Sequence, residues 1–211
     1  MSSNRILSIY NSRITILELL NMEKYNTEGY EGFSINEIEF MVKNTQLDML
    51  VSKKENKKEK KIYVKYHLEK TIRKLDDIVE DLFVGENSET PILSKETDTL
   101  VIITDEEPND TLLKSLRYKN DNEGIFIVVF NIRRLQFNVR KHILSPDIRV
   151  IGSEELEQLK DKIKITSLSQ FPEISRFDPL AMSIFMRPSQ VCHIIRDCPT
   201  SVKEDYYRVC V

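Results

Sequence analysis

Apolar residues near the start of the chain, Ile6, Ile9, Ile14, Leu17 and Leu20, recur at mixed three- and four-residue steps. The spacing predicts a helix over 5–20 with one buried stripe. Ser34-Ile35-Asn36-Glu37 reads as a second helix start, with Ser34 as N-cap and Glu37 completing a capping box. Its inward residues are expected to be Ile38, Met41 and Val42. Residues 47–52 and 62–66 read as strands of a hairpin with a long charged tip, 53–61. Helical spacing returns over 68–84, at Leu68, Ile72, Leu75, Ile78, Val79 and Leu82, and a loop follows at Pro91. Leu100–Ile103 and Ile125–Phe130 are unbroken apolar runs, as expected of strands covered on both faces. Between them, Pro108-Asn109-Asp110-Thr111 opens a helix with Leu112, Leu113 and Leu116 inward.

Beyond residue 130 the pattern changes. Leu135–Val139 reads as a further strand, and Ser153 as the cap of a helix with Leu156, Leu159 and Ile163 inward. Asp178-Pro179 starts a short helix: Asp accepts from free N–H groups, Pro suits the first turn, and Pro188 lies beyond its end. Gln190–Arg196 and Asp205–Val211 alternate as an antiparallel pair. The order predicts an α/β layer in the N-terminal part and a small α+β domain after it.

The length, 211 residues, suits one large domain or two small ones. Net charge is −3, which rules out a uniformly basic coat, but the charge is polarised. Residues 53–74 carry ten basic and three acidic side chains, net +7. Residues 75–110 carry one basic and twelve acidic, net −11. No apolar run reaches the roughly 20 residues of a membrane helix. Cys192, Cys198 and Cys210 are odd in number and lack the close pair of zinc sites, so plain thiols in a reducing compartment are expected.

Catalytic signatures are missing. The five glycines form no phosphate loop. A metal nuclease needs clustered carboxylates and a nearby lysine. Pro146-Asp147 begins such a pattern, but Asp161-Lys162-Ile163 has the wrong spacing for its second half. His142 and His193 have no nucleophile or orienting carboxylate in a motif with them.

Phe130, Leu135, Asn138, His142, Leu144 and Pro146 follow the pattern F-x-x-x-x-L-x-[VI]-N-x-T-x-H-x-L-V-P, with Arg140 at the Thr and Ser145 at the Val. Further on stand Phe171-Pro172-Glu173-Ile174, Asp178-Pro179-Leu180-Ala181, Gln190-Val191, Ile194-Ile195-Arg196 and Tyr207-Arg208-Val209-Cys210-Val211. These motifs resemble the fifth shared subunit of eukaryotic DNA-directed RNA polymerases and its archaeal counterpart. Arg13–Leu20 and Ile62–His67 are a looser match in the N-terminal half, which the archaeal counterpart lacks. Phe185 and Ser189 stand where the family has glycines, so the helix-to-strand turn is expected to differ locally. Cys198 and Pro199 depart from the family's Ser-Glu-Thr turn, which Thr200 fits. The departures suggest a divergent member, cellular or from a large DNA virus.

The resemblance implies a nuclease-like jaw domain without an active site, residues 1–132, beside downstream duplex DNA that it contacts weakly and without sequence preference. It implies an assembly domain, 133–211, ending in the antiparallel hairpin and docking on the largest subunit of the polymerase core. The implied subunit is non-catalytic and takes no cofactor, metal, small ligand or membrane. Its compartment is the nucleus, or for a viral member the virion and the host cytoplasm or nucleus. Docking residues implied by the family motifs are His142, Pro146, Pro172, Asp178, Pro179, Arg196, Tyr207 and Arg208. The alternative for the last pair is Tyr207 in the core and Arg208 paired with Asp178 or Asp205. Candidates near DNA are Lys53, Lys54, Lys57, Lys58, Lys60, Lys61, Arg117, Lys119 and Pro108. Pro108 occupies the place of a family loop, but Asp105, Glu106, Glu107 and Asp110 around it would repel phosphate. Two other readings stay open: a stand-alone nucleic-acid enzyme on the N-terminal layer, and a transcription adaptor that keeps only the docking domain.

Overall fold

The computed structural model describes residues 3–55, 58–68, 75–85 and 91–211. Lys57 and positions 69–74 of the expected 68–84 helix, Ile72 among them, lie outside the described residues. The chain divides into two compact units, residues 1–137 and 138–211.

The first unit is a four-stranded mixed sheet in the order β1-β2-β3-β4. β1 (Met49–Glu55) and β2 (Lys58–His67) form the antiparallel hairpin; β3 (Thr99–Thr104) and β4 (Phe126–Asn131) add in parallel. Parallel neighbours need crossovers, and α3 (Leu75–Phe83) and α4 (Asp110–Glu123) lie in those links. Every residue of β3 and β4 is buried, which is why their sequences do not alternate. Asn109 caps α4, its side chain accepting from Leu112 N at 2.8 Å, and Gly124 closes the helix at φ 70°. Leu116 is buried there, with Leu112 and Leu113 half-buried.

α1 (Ser3–Met22) buries more than a stripe: Ser12, Arg13 and Thr15 are inside, while Ile14 is 42% exposed. Arg13 explains the rotation. Its Nη1 donates to Leu47 O at 2.9 Å, and its guanidinium lies 6.0 Å from the Tyr30 ring and 5.6 Å from that of Phe33. α2 (Ile35–Lys43) has the capping box that Ser34 and Glu37 predict, but only Ile38 is fully buried; Met41 and Val42 are half-buried. The hairpin also differs from expectation. Pairing continues to Glu55–Lys58, so Lys53, Lys54, Lys60 and Lys61 stand on strands and not on a long loop.

No strand forms at Leu135–Val139. Ile132–Leu135 and Val139–Lys141 are 3-10 turns, each opened by an asparagine. The Asn131 side chain accepts from Arg133 N at 2.7 Å and that of Asn138 from Arg140 N at 3.0 Å, a local alternative to strand pairing.

The second unit is a sheet in the order β5-β7-β8-β6. Its long pair, β7 (Val191–Cys198) and β8 (Val202–Cys210), is antiparallel; β5 (Asp147–Val150) and β6 (Glu173–Ile174) flank it. One face packs Ile148, Cys192, Ile194 and Cys210 against Ala181, Ile184 and Met186. The other packs Val191 and Val209 against Leu159 and Phe171. In α5 (Ser153–Ile163) the N-cap is Gly152, and Ser153 is the first helical residue. Ile163 is 41% exposed, because Lys164 turns left-handed at φ 59° and ends the helix there. α6 (Pro179–Ser183) is capped by Asp178, whose Oδ1 accepts from Leu180 N at 2.9 Å.

The turn between α6 and β7 keeps the backbone that glycine would supply. Phe185 has φ 51° and Ser189 φ 66°. Both positions thus take the positive φ that glycine favours: neighbouring structure holds two ordinary residues left-handed. Ser189 N donates to Cys210 O at 2.9 Å, Met186 N to Ala181 O at 3.1 Å, and Arg187 N to the Gln190 side chain at 2.7 Å.

Candidate partner-binding groove and basic hairpin

Asn138 starts a tight reversal that projects two apolar side chains into solvent. The Ser145 hydroxyl donates to Val139 O at 2.5 Å, Ser145 N to His142 O at 2.9 Å, and Leu144 N to His142 Nδ1 at 3.2 Å. The turn so fixed leaves Ile143 93% and Leu144 83% exposed. Burying two such side chains contributes about 1.5–3 kcal/mol each, so they mark a surface suited to a protein partner.

Beside this turn lies a groove of about 720 Å³. Ile143, Leu144, Pro146 and Asp147 line one side, Ile174, Asp178 and Leu180 another, and Ile194, Arg196, Tyr206 and Arg208 of the sheet contribute between them. Arg196 lies 5.2 Å over the Tyr206 ring, and Arg208 Nη1 donates to Glu173 O at 2.8 Å. Tyr206 donates to Glu204 at 2.9 Å, and that carboxylate holds the phenol above its ordinary pKa.

The structure brings four of the eight expected docking residues together on the groove: Pro146, Asp178, Arg196 and Arg208. His142 shapes the adjoining turn. Pro172 and Pro179 are exposed and elsewhere; the Pro172 carbonyl accepts from Val209 N at 2.9 Å. Tyr207 follows Tyr206 in the strand and therefore faces the other way. It packs on the Phe171 cluster and stacks on His193, with centroids 4.9 Å apart. The alternative pairing of Arg208 with Asp178 or Asp205 does not form, since Asp178 caps α6 and Asp205 lies 2.7 Å from His193 Nε2. Sequence reasoning missed Ile143, Leu144 and Tyr206. The first two lie in a turn where periodicity carries no signal, but alternation along Asp205–Val211 would have set Tyr206 and Arg208 on one face.

In the first unit, Lys53 donates to Glu23 O at 3.3 Å and lies 4.7 Å over the Tyr25 ring, so its charge serves the end of α1. Lys54 is exposed; Lys60 and Lys61 are half-buried. Lys58 enters only through its backbone pairing with Glu55. Arg117 is exposed on α4. Lys119 is not available to DNA as expected. It is 7% exposed, with Nζ 2.7 Å from Asp76 and 3.3 Å from Glu123. Burial pulls its pKa down, but the two carboxylates prevail and the net shift is upward. Around half-buried Pro108, Asp105 pairs with Arg5 at 2.5 Å and Glu107 with Arg134 at 3.0 Å. Among the described residues no group of three His, Cys, Asp or Glu is placed to hold a metal ion, and no helix is long and apolar enough to cross a membrane.

Residues 137–210, nearly the whole second unit, match the family described as "RNA polymerase Rpb5, C-terminal domain". The DNA-directed RNA polymerase subunit Rpo5 of Pyrococcus horikoshii is 38% identical over 76 residues, which are 36% of this chain and 92% of that protein. Its counterpart in Thermococcus kodakarensis is 37% identical over the same shares. The chain belongs to the RNA polymerase Rpb5 family. A longer Rpb5-family relative is similar throughout: the DNA-directed RNA polymerases I, II, and III subunit rpabc1 of Dictyostelium discoideum, 26% identical over 213 residues, 99% of this chain and 98% of that one. Every residue named on the groove falls inside the Rpb5 match, whereas the basic hairpin lies outside it, within the alignment to the long, more distant relative.

Proposed function

We propose that the chain is a non-catalytic subunit of a multisubunit DNA-directed RNA polymerase, working in the nucleus where the polymerase is cellular. Its second unit serves as the assembly domain and docks on the largest subunit through the groove and the Ile143-Leu144 turn. The observation that carries this reading is the exposure of those two side chains, 93% and 83%, beside a preformed groove inside the family match. The first unit serves as a jaw near downstream DNA. Lys54, Lys60 and Lys61 on the hairpin are the cations best disposed toward phosphate, a weak and sequence-independent interaction. Lys119 is dropped from that role.

Co-expression with the two largest polymerase subunits tests the docking. Wild-type chain is expected to co-purify in stoichiometric amount. A double change, Ile143→Asp with Leu144→Asp, touches little inside the unit and is expected to weaken association at least about tenfold. Undiminished recovery of the double variant would refute the groove as the docking surface.

A further inference from the structure

The two units treat the outer edges of their sheets differently. At β1 the edge is closed locally: Tyr30 Oη donates to Leu50 O at 3.1 Å and accepts from Leu50 N at 3.2 Å, and Asn26 N donates to Ser52 O at 3.0 Å. At β8 the edge is closed only near its end. Val209 N donates outward to Pro172 O at 2.9 Å, while Cys210 N donates inward to Gln190 O at 2.9 Å. Backbone groups of successive strand residues point to opposite sides, so Lys203, Asp205 and Tyr207 share the outward direction of Val209. Lys203 N is taken by Ser201 O at 2.7 Å. The N–H groups of Asp205 and Tyr207 and the carbonyls of all three have no hydrogen-bond partner among the described residues. β6 already seats a strand on this edge, at Glu173↔Val209 and Ile174↔Cys210, so the geometry of the edge admits one.

We propose that the open edge of β8, Lys203–Tyr207, receives an extended segment of the largest polymerase subunit as an added strand, in line with β6. This rests on the reading of the chain as a polymerase subunit and specifies how it is held. Unpaired N–H and C=O groups alternating along one edge recognise one kind of ligand, an extended backbone. Tyr206 and Arg208 of the same strand, with Arg196 beside them, line the groove. An added strand would present every second side chain to that groove. Along β8 Tyr206 stands between Glu204 and Arg208, which favours a segment with an apolar residue followed on the Arg208 side by an acidic one. Lys203, Glu204 and Asp205 are charged and exposed, the usual guard against indiscriminate pairing, and leave the edge to a partner that also fills the groove.

The test uses the full chain co-assembled with the large subunits. Asp205→Pro removes one outward N–H and no bond to β7, whereas Asp205→Ala removes the same carboxylate and keeps the N–H. Expected are a loss of about tenfold or more in association for the proline variant, and a change within about twofold for alanine. Hydrogen exchange on wild type gives an independent reading: the Asp205 and Tyr207 amides are expected to slow at least about tenfold on assembly. If Asp205→Pro fails to fold, the wild-type amides decide. Unchanged exchange at both in the purified complex overturns the added strand and leaves the subunit reading standing. Failure of the wild-type chain to co-purify at all overturns the subunit reading, and the strand with it.

Discussion

Ser189→Gly should stabilise the second unit. Ser189 is exposed, has φ 66°, and contributes its backbone N–H to Cys210 O. A left-handed conformation costs an ordinary L-residue roughly 1–2 kcal/mol. Glycine escapes that cost but loses about 0.5–1 kcal/mol through the greater freedom of its unfolded chain. The balance is a gain of about 0.5–1 kcal/mol, equivalent to roughly two- to fivefold slower exchange of the most protected amides. Exchange of the buried amides of β7 and β8 in the full chain reads this directly. Phe185→Gly is the informative partner, because Phe185 is also left-handed, at φ 51°, but its ring is buried at 8% exposure. There the lost ring, worth about 3–5 kcal/mol, outweighs the relief and the variant should be strongly destabilised. The pair should therefore move in opposite directions. Faster or unchanged exchange in Ser189→Gly would refute the claim that surrounding structure, and not the residue, imposes this turn.

Lys119→Met should destabilise the first unit by about 1 kcal/mol or less near neutral pH, since both carboxylate partners retain access to water. The folded-state pKa of Lys119 is raised above 10.5, so its contribution is fully present below 10.5 and lost as pH climbs through the folded value; the gap between wild type and variant should close there in urea titrations. Cys198 should alkylate first: hydrogen bonds from Thr200 bring its thiol down to about 7, while burial pushes Cys210 up to about 11 and raises Cys192. Being depressed from 9.0, the Cys198 thiolate contributes stability above that pH and loses it as pH falls through about 7. Mass spectrometry after iodoacetamide at pH 7.5 should find Cys198 modified ahead of the other two, and Thr200→Val should slow it. Changing Lys54, Lys60 and Lys61 to Gln should flatten the dependence of polymerase–template affinity on salt, by about 0.9 in log–log slope for each phosphate no longer neutralised; an unchanged slope returns the hairpin to solvent.

Sequence made the elements legible where burial was uniform or caps were complete. Thr99–Thr104 and Phe126–Asn131 are buried on both faces, so composition alone identified them. Ser34 with Glu37, and Asp178 with Pro179, place polar atoms where helix starts need acceptors. Periodicity failed where one polar residue was held inside by distant groups: nothing local tells that Arg13 finds Leu47 O and two rings, turning Ile14 outward. It failed again at Asn131 and Asn138, whose side chains act on the backbone two residues on, an effect that an apolar count does not weigh. β5 and β6, with four and two residues, are too short to carry a period. At the candidate site, the residues borrowed from family motifs mixed groove with core, because a motif preserves both alike. Facing along β8 separates them, and facing requires the register.

The ion pairs around the acidic tract bear on what a distant polyanion senses. Counted along the sequence, 75–110 is a block of net charge −11. In space, Asp76 is neutralised by Lys119, Asp105 by Arg5 and Glu107 by Arg134, while Asp98 accepts from Lys61 N at 2.9 Å and Ser94 N at 2.8 Å. A paired carboxylate acts at range as a dipole, and a dipole's potential dies away faster with distance than a lone charge's. All three cations come from outside the tract, Arg5 from before it and Lys119 and Arg134 from after it. Within the roughly 8–10 Å that physiological salt leaves unscreened, these paired carboxylates therefore repel a duplex less than the composition of the tract suggests.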